Sequence, residues 1–590
     1  MKTSLSAAAL AIGICTLVAQ QPQGAPDAIL SAMHDEVQRS LSLALPGAEK
    51  PYFVEYHVDD AESVRILASA GGLVFRTRSP LRSYSQHVRV GSYQLDNSNY
   101  RGRVSGAALY GLTGCPLDAA SSPPTYDVLR RYLWLATDRS YKASVDVLAR
   151  KRARLNSTTA NETLDDFARA ASVTEIDPPR RLEIDEDAWA KRVVSLSAIA
   201  NQFPQLESST ITFYTSAGAF YLANTEGSQV RTPVSEAVLR VWMVAQAPDG
   251  MRLRDSRTFL APDVAGMPSE AEMRREITAM GENAAAFIKA PKGEEYNGPV
   301  LFEGVAAAQM FAEVMGHNLT LVRQPVLDQG ANFFSFGNEL AGRKGSRILP
   351  DWMDVIDDPT VSAWHGHPLA GSYKIDREGV PAKPVQLVEK GVLKDYLRTR
   401  QVVHGYSDSN GRAQLSNGME GHTASITNVF VNASQSVPLA DLRRKLIDTC
   451  KERSKPYGII VRRLDYPSVA TMEEATQLAR SGMTNGALPV SLPVRVFKLY
   501  ADGHEEQVRG LAFRGLNAKS LKDIVAAGDD IAPFSFSYSH QVFAMIDSNS
   551  PSHPATVLAP SLLVDDLDLK PVEGDSPKLP VVPAPAVAQH

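Results

Sequence analysis

Two side chains in the stretch GPVLFEGVAAAQMFAEVMGHNL, residues 298–319, have the types and spacing for proton and metal chemistry: Glu313 and His317. Four residues apart on a helix, they share one face and can meet. A zinc hydrolase needs protein ligands that leave one coordination position open, and a carboxylate that takes a proton from the bound water. Glu313 could be that base and His317 one ligand. The same Glu-x-x-x-His spacing is also common as a plain polar pair on surface helices, so alone it leaves both readings open. The histidines of the His365-Gly366-His367 triplet follow Trp364 and read as an exposed, idle loop. No Gly-x-Ser-x-Gly elbow occurs, and AGRKGSR lacks the spacing of a phosphate loop.

The helix that would carry Glu313 is expected from about Glu303 to Gly316, after a strand at Gly298–Leu301. Ile29, Met33, Val37, Leu41 and Leu45 recur four apart and predict an amphipathic helix near the start. From Tyr52 to Asn99 the runs YFVEYHV, ESVRILAS, GGLVFRTR and SQHVRVGSYQL predict a meander of short strands, with Asp59, Asp60, Gly71 and Gly72 as turns. Residues 126–171 are helical in pattern, and their basic run KRARL (151–155) reads as a solvated helix face. Further helices are expected at 187–202, 268–289 and 438–453, with ITFYTSAGAFYLANTEG as a hairpin and AVLRVWMVAQ as a strand. Strands such as VQLVEKGVLKDYL, GIIVRRL and PVRVFKLY dominate the second half. Without a βαβ rhythm, these patterns predict an α+β fold: an N-terminal helix-plus-antiparallel-strand domain, then a C-terminal domain on a large curved antiparallel sheet with inserted helices. The expected divisions are a signal peptide at 1–19, an α/β region at 20–125, a helical and hairpin region at 126–297, a C-terminal domain at 298–570 and a Pro-rich tail at 571–590.

Residues 298–319 resemble the metal-binding helix of the TldD/PmbA family, the modulators of DNA gyrase, whose active members carry His-Glu-x-x-x-His. Glu313, Gly316 and His317 match that motif, but Ala312 stands where the first histidine belongs. The resemblance continues through NELAGRKGSRIL (338–349), VIDDPT (355–360), DREGVPAKPVQLVEKGVLKDYL (376–397), SITNVFVN (425–432), LPVRVFKLYADGHEEQVRGLAF (492–513) and LAPSLLVDDLDL (558–569). It implies a zinc metallopeptidase ancestry with a third ligand, a cysteine, near Ile546–Ser548, where this chain has none. A single imidazole cannot hold zinc, since catalytic sites use three protein ligands. The resemblance therefore implies a peptidase-like protein with a degraded zinc site, acting as a peptide-binding or partner subunit. No cofactor is expected on that reading. The alternative is an active enzyme with a rewired site: Glu313 as base, His317 as ligand, and Asp547 and His553 completing the set. The expected partners are peptides or unfolded protein segments, and a homo- or heterodimer with a TldD/PmbA homologue.

The 590 residues are 44% hydrophobic and 22% charged, with 61 Lys plus Arg against 66 Asp plus Glu and a net charge of −5. That balance gives no sign of a nucleic-acid surface, and no later window approaches 18 uninterrupted apolar residues, so no transmembrane span is expected. The three cysteines, Cys15, Cys115 and Cys450, form no disulfide scaffold or zinc ribbon, and a Cys115–Cys450 pairing is left open. The start MKTSLSAAALAIGICTLVAQQ has one early lysine and an apolar stretch from Leu5 to Ala19, the form of a secretory signal, with Leu17 and Ala19 suited to cleavage. Together with the resemblance, this places the protein in a bacterial periplasm or outside the cell. N-terminal sequencing of protein from its native host is expected to begin near Gln20; a retained Met1 in a cytoplasmic fraction would overturn the export reading.

Overall fold

The computed structural model describes residues 27–102, 125–157, 164–330, 338–416, 421–465, 490–538 and 553–572. Its N-terminal part is one six-stranded sheet. Strand β1 (Pro51–Ser69) turns back through Ala70 and Gly71 into β2 (Gly72–Val90). Both turn residues have positive φ, 48° and 83°, the backbone of the tight hairpin turn that matches strand twist. The short β3 (Tyr100–Arg101) lies apart, and β4 (Thr174–Ile176), β5 (Leu206–Asn224), β6 (Gln229–Gln246) and β7 (Arg252–Ala261) follow. The sheet order is β2-β1-β5-β6-β4, with β7 also on β6.

Where short strands are expected, two 19-residue strands form. Asp59 and Asp60 are not a turn. Asp60 accepts from Arg82 Nε at 2.5 Å, and Asp59 pairs with Arg377 at 3.0 and 3.1 Å, so neutralised carboxylates are carried within the strand. Likewise ITFYTSAGAFYLANTEG is not a hairpin by itself: it is mostly β5, with the turn at its end leading into β6. Because residues 51–90 and 206–261 share this sheet, the expected boundary at 125/126 does not separate two bodies.

Four helices cover the sheet: α1 (Ala28–Ser40), α2 (Tyr126–Asn156), α3 (Glu186–Ser197) and α4 (Glu270–Lys289). Even-numbered residues of β1 face them. Val54, Tyr56 and Val58 pack with Ile29 and Met33 of α1 and Leu133 of α2, while Val64, Ile66 and Ala68 pack with Val193 of α3 and Ile277 of α4. Period-2 alternation sends Glu55, His57 and Asp59 to the opposite face. In α2 the KRARL run is not wholly solvated. Lys151 is buried, donating to Asp166 Oδ2 at 2.5 Å and to the carbonyls of Asp96 and Ser98.

The C-terminal part has two mostly antiparallel sheets around a central helix. Its strands are β8 (Tyr296–Phe302), β9 (Val326–Leu327), β10 (Met353–Asp357), β11 (Ala363–Trp364), β12 (His367–Pro368), β13 (Val385–Glu389), β14 (Val392–Leu393), β15 (Ala413–Ser416), β16 (His422–Ala424), β17 (Asn428–Ala433), β18 (Tyr457–Leu464), β19 (Pro493–Tyr500), β20 (Glu505–Val508), β21 (Leu511–Arg514), β22 (Ile524–Ala527), β23 (Ala532–Tyr538), β24 (His553–Ala559) and β25 (Leu562–Pro571). One sheet runs β14-β13-β10-β17-β24-β23; the other runs β20-β19-β18-β8-β25-β21, with β22 also on β25. Each contains one parallel pair, β17–β24 and β8–β18. The expected α+β class stands, with two sheets where one was expected. Helix α5 (Val305–Met315) lies in the core they share, and α6 (Leu439–Glu452) covers the far side of the second sheet. Val300, Phe302, Ile459 and Val461 face the α5 side while Leu301 and Ile460 face α6, which explains the unbroken apolar runs of these strands. Cys450 is a free, buried thiol against α6's sheet, and no helix among the described residues is long and apolar enough to cross a membrane.

A buried ion pair locks the loops of this part. Arg412 Nε donates to Asp357 Oδ1 at 2.6 Å, and Asp357 also accepts from Thr427 Oγ1 and Thr427 N, both at 2.7 Å. Arg412 further donates to the carbonyls of Lys383, Asp357 and Asn410. Replacing Arg412 by Met strands a buried carboxylate, so Arg412→Met is expected to lower unfolding free energy by about 3–5 kcal/mol. Denaturant titration measures this; a loss under about 1 kcal/mol would contradict it.

Candidate functional site

Helix α5 is apolar on nearly every side. Ala306, Ala307, Ala308, Met310, Phe311, Ala312, Val314 and Met315 are all buried, as a helix enclosed by two sheets requires. One polar stripe remains, at Gln309, Glu313 and His317, spaced i, i+4, i+8. Gln309 Nε2 donates to Glu313 Oε1 at 2.8 Å and to the Asp465 carbonyl at 2.7 Å. The amide of Ser491 donates to Glu313 Oε2 at 2.7 Å. Both carboxylate oxygens of Glu313 are thus engaged. Desolvation outweighs these bonds and pushes the Glu313 carboxyl up to about 7. The methyl group of Ala312 is 2% exposed, packed in the core.

Just beyond the helix, both ring nitrogens of His317 are shielded from water. Gly316 lies flush against strand β23: a Cβ there would fall 2.9 Å from Tyr538 Cε2. Tyr538 pairs with His553 across the β23–β24 ladder, so His553 lies on the same sheet face that receives the end of α5. Burial, then the Arg377 charge, pushes His553 down to about 3, and its ring meets Tyr373 edge-on at 5.8 Å. Asp547 and the expected cysteine position at Ile546–Ser548 lie outside the described residues. His365 and His367 sit exposed on the β11–β12 hairpin, as expected.

A second group of titratable side chains, not anticipated from sequence, occupies the odd-numbered face of β1. In the β1–β2 register Glu55 opposes His87 and His57 opposes Ser85, which puts all four on one face. His422 of β16 closes over them from the C-terminal part. The ligand-type atoms of His57, His87 and His422 all lie within 4.8 Å of one another. Glu55 Oε1 is 3.1 Å from His57 Nε2, and Glu55 Oε2 accepts from Asn224 Nδ2 at 3.2 Å. Desolvation works to raise Glu55, but the charge interaction with His57 overrides it and holds the carboxyl at about 2, while desolvation and the His57 ring push His87 down to about 3 and His422 well below the ordinary imidazole value. Nearby, Asp376 and Glu378 of the DREG turn are pushed up to about 6 and about 8, chiefly by burial. Recognising the long β1–β2 hairpin would have placed His57 and His87 diagonally across one sheet face. His422, more than three hundred residues on, carried no local signal.

Residues 295–570 match the family described as the PmbA/TldA metallopeptidase C-terminal domain. Among curated proteins, a metalloprotease from Methanocaldococcus jannaschii is 25% identical over 263 residues, 42% of this chain and 51% of that protein. One from Methanothermobacter thermautotrophicus is 25% identical over 215 residues, 36% of this chain and 44% of that protein. This chain therefore spans about half the length of the curated relatives it matches. Among solved structures, TldE from Thermococcus kodakarensis superposes with a TM-score of 0.54 at 11% identity, covering 91% of this chain and 99% of that one. A protein described as a modulator of a DNA gyrase from Thermotoga maritima gives a TM-score of 0.50 at 14% identity, covering 88% and 96%. The C-terminal match and the shared fold lead to one conclusion: residues 295–570 form a PmbA/TldD-type metallopeptidase C-terminal domain, in a chain with the fold of TldE.

Proposed function

We propose that this protein is an exported, metallopeptidase-like member of the family whose α5 helix holds no catalytic zinc, and that it binds extended peptides or pairs with a second TldD/PmbA-type chain. The observation that carries this reading is the environment of α5. Ala312 contributes a core methyl where a nitrogen ligand is needed, and both Glu313 oxygens are already bonded to Gln309 and Ser491. Among the described residues, no zinc donor set assembles at that helix. For binding, β2 offers an open sheet edge, with Leu73, Val74 and Leu81 exposed along it. Such an edge can take up an added strand through backbone hydrogen bonds.

One observation favours the alternative, an active zinc peptidase with Glu313 as base and His317, Asp547 and His553 as ligands. A carboxyl raised to about 7 is poised to exchange a proton near neutral pH, and the archaeal relatives carry the name metalloprotease. The experiment is a peptidase assay on unstructured peptides with and without added zinc, run beside light scattering on the native chain. We expect no turnover from wild type or Glu313→Gln, and a dimer or a co-purified homologous chain. Zinc-dependent turnover abolished by Glu313→Gln would install the alternative. A monomer retaining neither homologue nor peptide would remove the partner role.

The raised carboxyl also has a folding consequence. Its folded-state value, about 7, exceeds the reference value of 4.5, so the native state favours the protonated form. The resulting stabilisation is complete below about pH 4.5 and is lost as pH rises through 7, roughly 3 kcal/mol at full ionisation. Denaturation at pH 5 and pH 8 should show wild type losing stability over this interval by more than Glu313→Gln does. Equal losses in the two proteins would show that Glu313 ionises freely in the fold.

A further inference from the structure

The cluster of His57, His87 and His422 lies outside the α5 helix, and nothing in the reading of that helix uses it. We propose that these three imidazoles form a binding site for a divalent late transition metal ion, zinc foremost, with Glu55 orienting His57 as a second-layer carboxylate. This inference is independent of the reading of α5 and departs from the sequence expectation that zinc enters only there.

Geometry carries the assignment. The ring centroids stand 4.9 Å (His57–His422), 5.3 Å (His57–His87) and 5.5 Å (His87–His422) apart, close to an equilateral triangle. The three interplanar angles are 59°, 60° and 60°, so the rings are set like the blades of a propeller. Packing alone has no need of three equal inclinations, whereas three nitrogens converging on one point produce them. The ligand atoms lie within 4.8 Å of one another. Metal–nitrogen bonds of about 2.0–2.1 Å need nitrogens roughly 3.4 Å apart in a tetrahedron, which side-chain rotations of about an ångström supply.

The surroundings fit the same ion. Metal-bound histidines characteristically donate their second N–H to a carboxylate, which fixes the tautomer and raises ligand basicity. Glu55 lies 3.1 Å from His57 Nε2, a buried nitrogen that makes no hydrogen bond as the rings stand, and Glu55 is itself held by Asn224, so a small turn of the His57 ring would complete that bond. Nδ1 of His57 then carries the lone pair, with Ser85 Oγ 3.3 Å away. The positive groups facing the cluster are each neutralised: Arg377 by Asp59 at 3.0 Å and Arg89 by Asp96 at 2.9 Å. Asp376 and Glu378 add further buried carboxyls near Glu55. Three imidazole ligands select zinc, copper, nickel or iron over calcium and magnesium, which take oxygen ligands. Three protein ligands also leave one coordination position open.

The test uses the full chain, stripped with a chelator and titrated with Zn2+, with Co2+ as the spectroscopic probe. Wild type, Glu313→Gln and His317→Ala are each expected to bind one equivalent and to show the same Co2+ ligand-field bands. His87→Ala and His422→Ala are expected to bind at least 100-fold more weakly, and Glu55→Gln about 10–100-fold more weakly, with far-UV circular dichroism reporting that each is folded. Zinc-edge X-ray absorption on wild type counts imidazole ligands without any variant: three support the site, and one or none overturns it. The absence of saturable binding by wild type overturns it too. So does binding lost in His317→Ala but kept in His422→Ala, which would move the metal to α5 and overturn the reading of that helix as well.

Discussion

A helix whose apolar side chains point in every direction must be enclosed, and the enclosure of α5 between two sheets governs the rest of the C-terminal part. Alanines at 306, 307, 308 and 312 let the sheets approach closely, while Phe311 and Met315 fill the spaces between them. In the second sheet, which α6 covers on the other side, the central strands β8 and β18 are then buried on both faces, so their runs are apolar without alternation. The loops that leave such strands carry polar backbone that must be satisfied internally. The Asp357–Arg412–Thr427 network does this, tying together the end of β10, the segment before β15 and the start of β17. One polar stripe survives on α5. Its carboxylate is raised because enclosure removes water faster than Gln309 and Ser491 replace it.

Strand β1 obeys the complementary constraint. One face serves the helices and the other meets the C-terminal part, so every second residue is polar from Glu55 to Asp59. Arg377 reaches back to Asp59, and Arg400, 1% exposed, donates to the Ala168 carbonyl and to Glu226. On the far side of the junction Arg463 pairs with Asp255 at 2.9 Å. The two parts are joined chiefly through buried and half-buried bonded charges, with one small apolar cluster in which Ile375 packs against Phe220, Leu222 and Val230. Breaking the Arg400 or Arg463 pair leaves a buried partner charged and dry, which makes this junction geometrically specific even where its net stabilisation is small.

Much of this was legible in the sequence. Helices α1, α3, α4 and α6 fall where their patterns place them, and α5, apolar on nearly every side, falls where its continuous apolar run ends at Gly316. The Glu313–His317 spacing and the family segments pointed to α5 and its neighbours. The strand boundaries in the first half were obscured at Asp59 and Asp60, because an Asp-Asp pair ordinarily marks a turn and its neutralising arginines, Arg82 and Arg377, are distant in sequence. The inward turn of Lys151 was hidden for the same reason, its partner Asp166 lying beyond the helix. Thr427 and Asn428 were legible as a motif but not as a structure. They hold Asp357 and the 361–372 loop in place, so their part in the site is positional.

The two polar centres differ in what their occupation would do to the molecule. Gln309 and Glu313 belong to one helix and His317 to the turn that ends it, fixed by that helix's own core whether or not anything binds there. His57 and His87 belong to a hairpin of the N-terminal sheet and His422 to the C-terminal part, so an ion held by all three binds only when the parts are docked. Binding to one arrangement alone stabilises it by RT ln(1 + [L]/Kd), about 2.7 kcal/mol at a hundredfold excess over Kd. The same linkage runs in reverse: anything that parts the junction, including a peptide entering between the sheets, weakens the ion's hold by the same factor. Metal at the histidines would therefore act on the relation between the two parts rather than on any chemistry at α5.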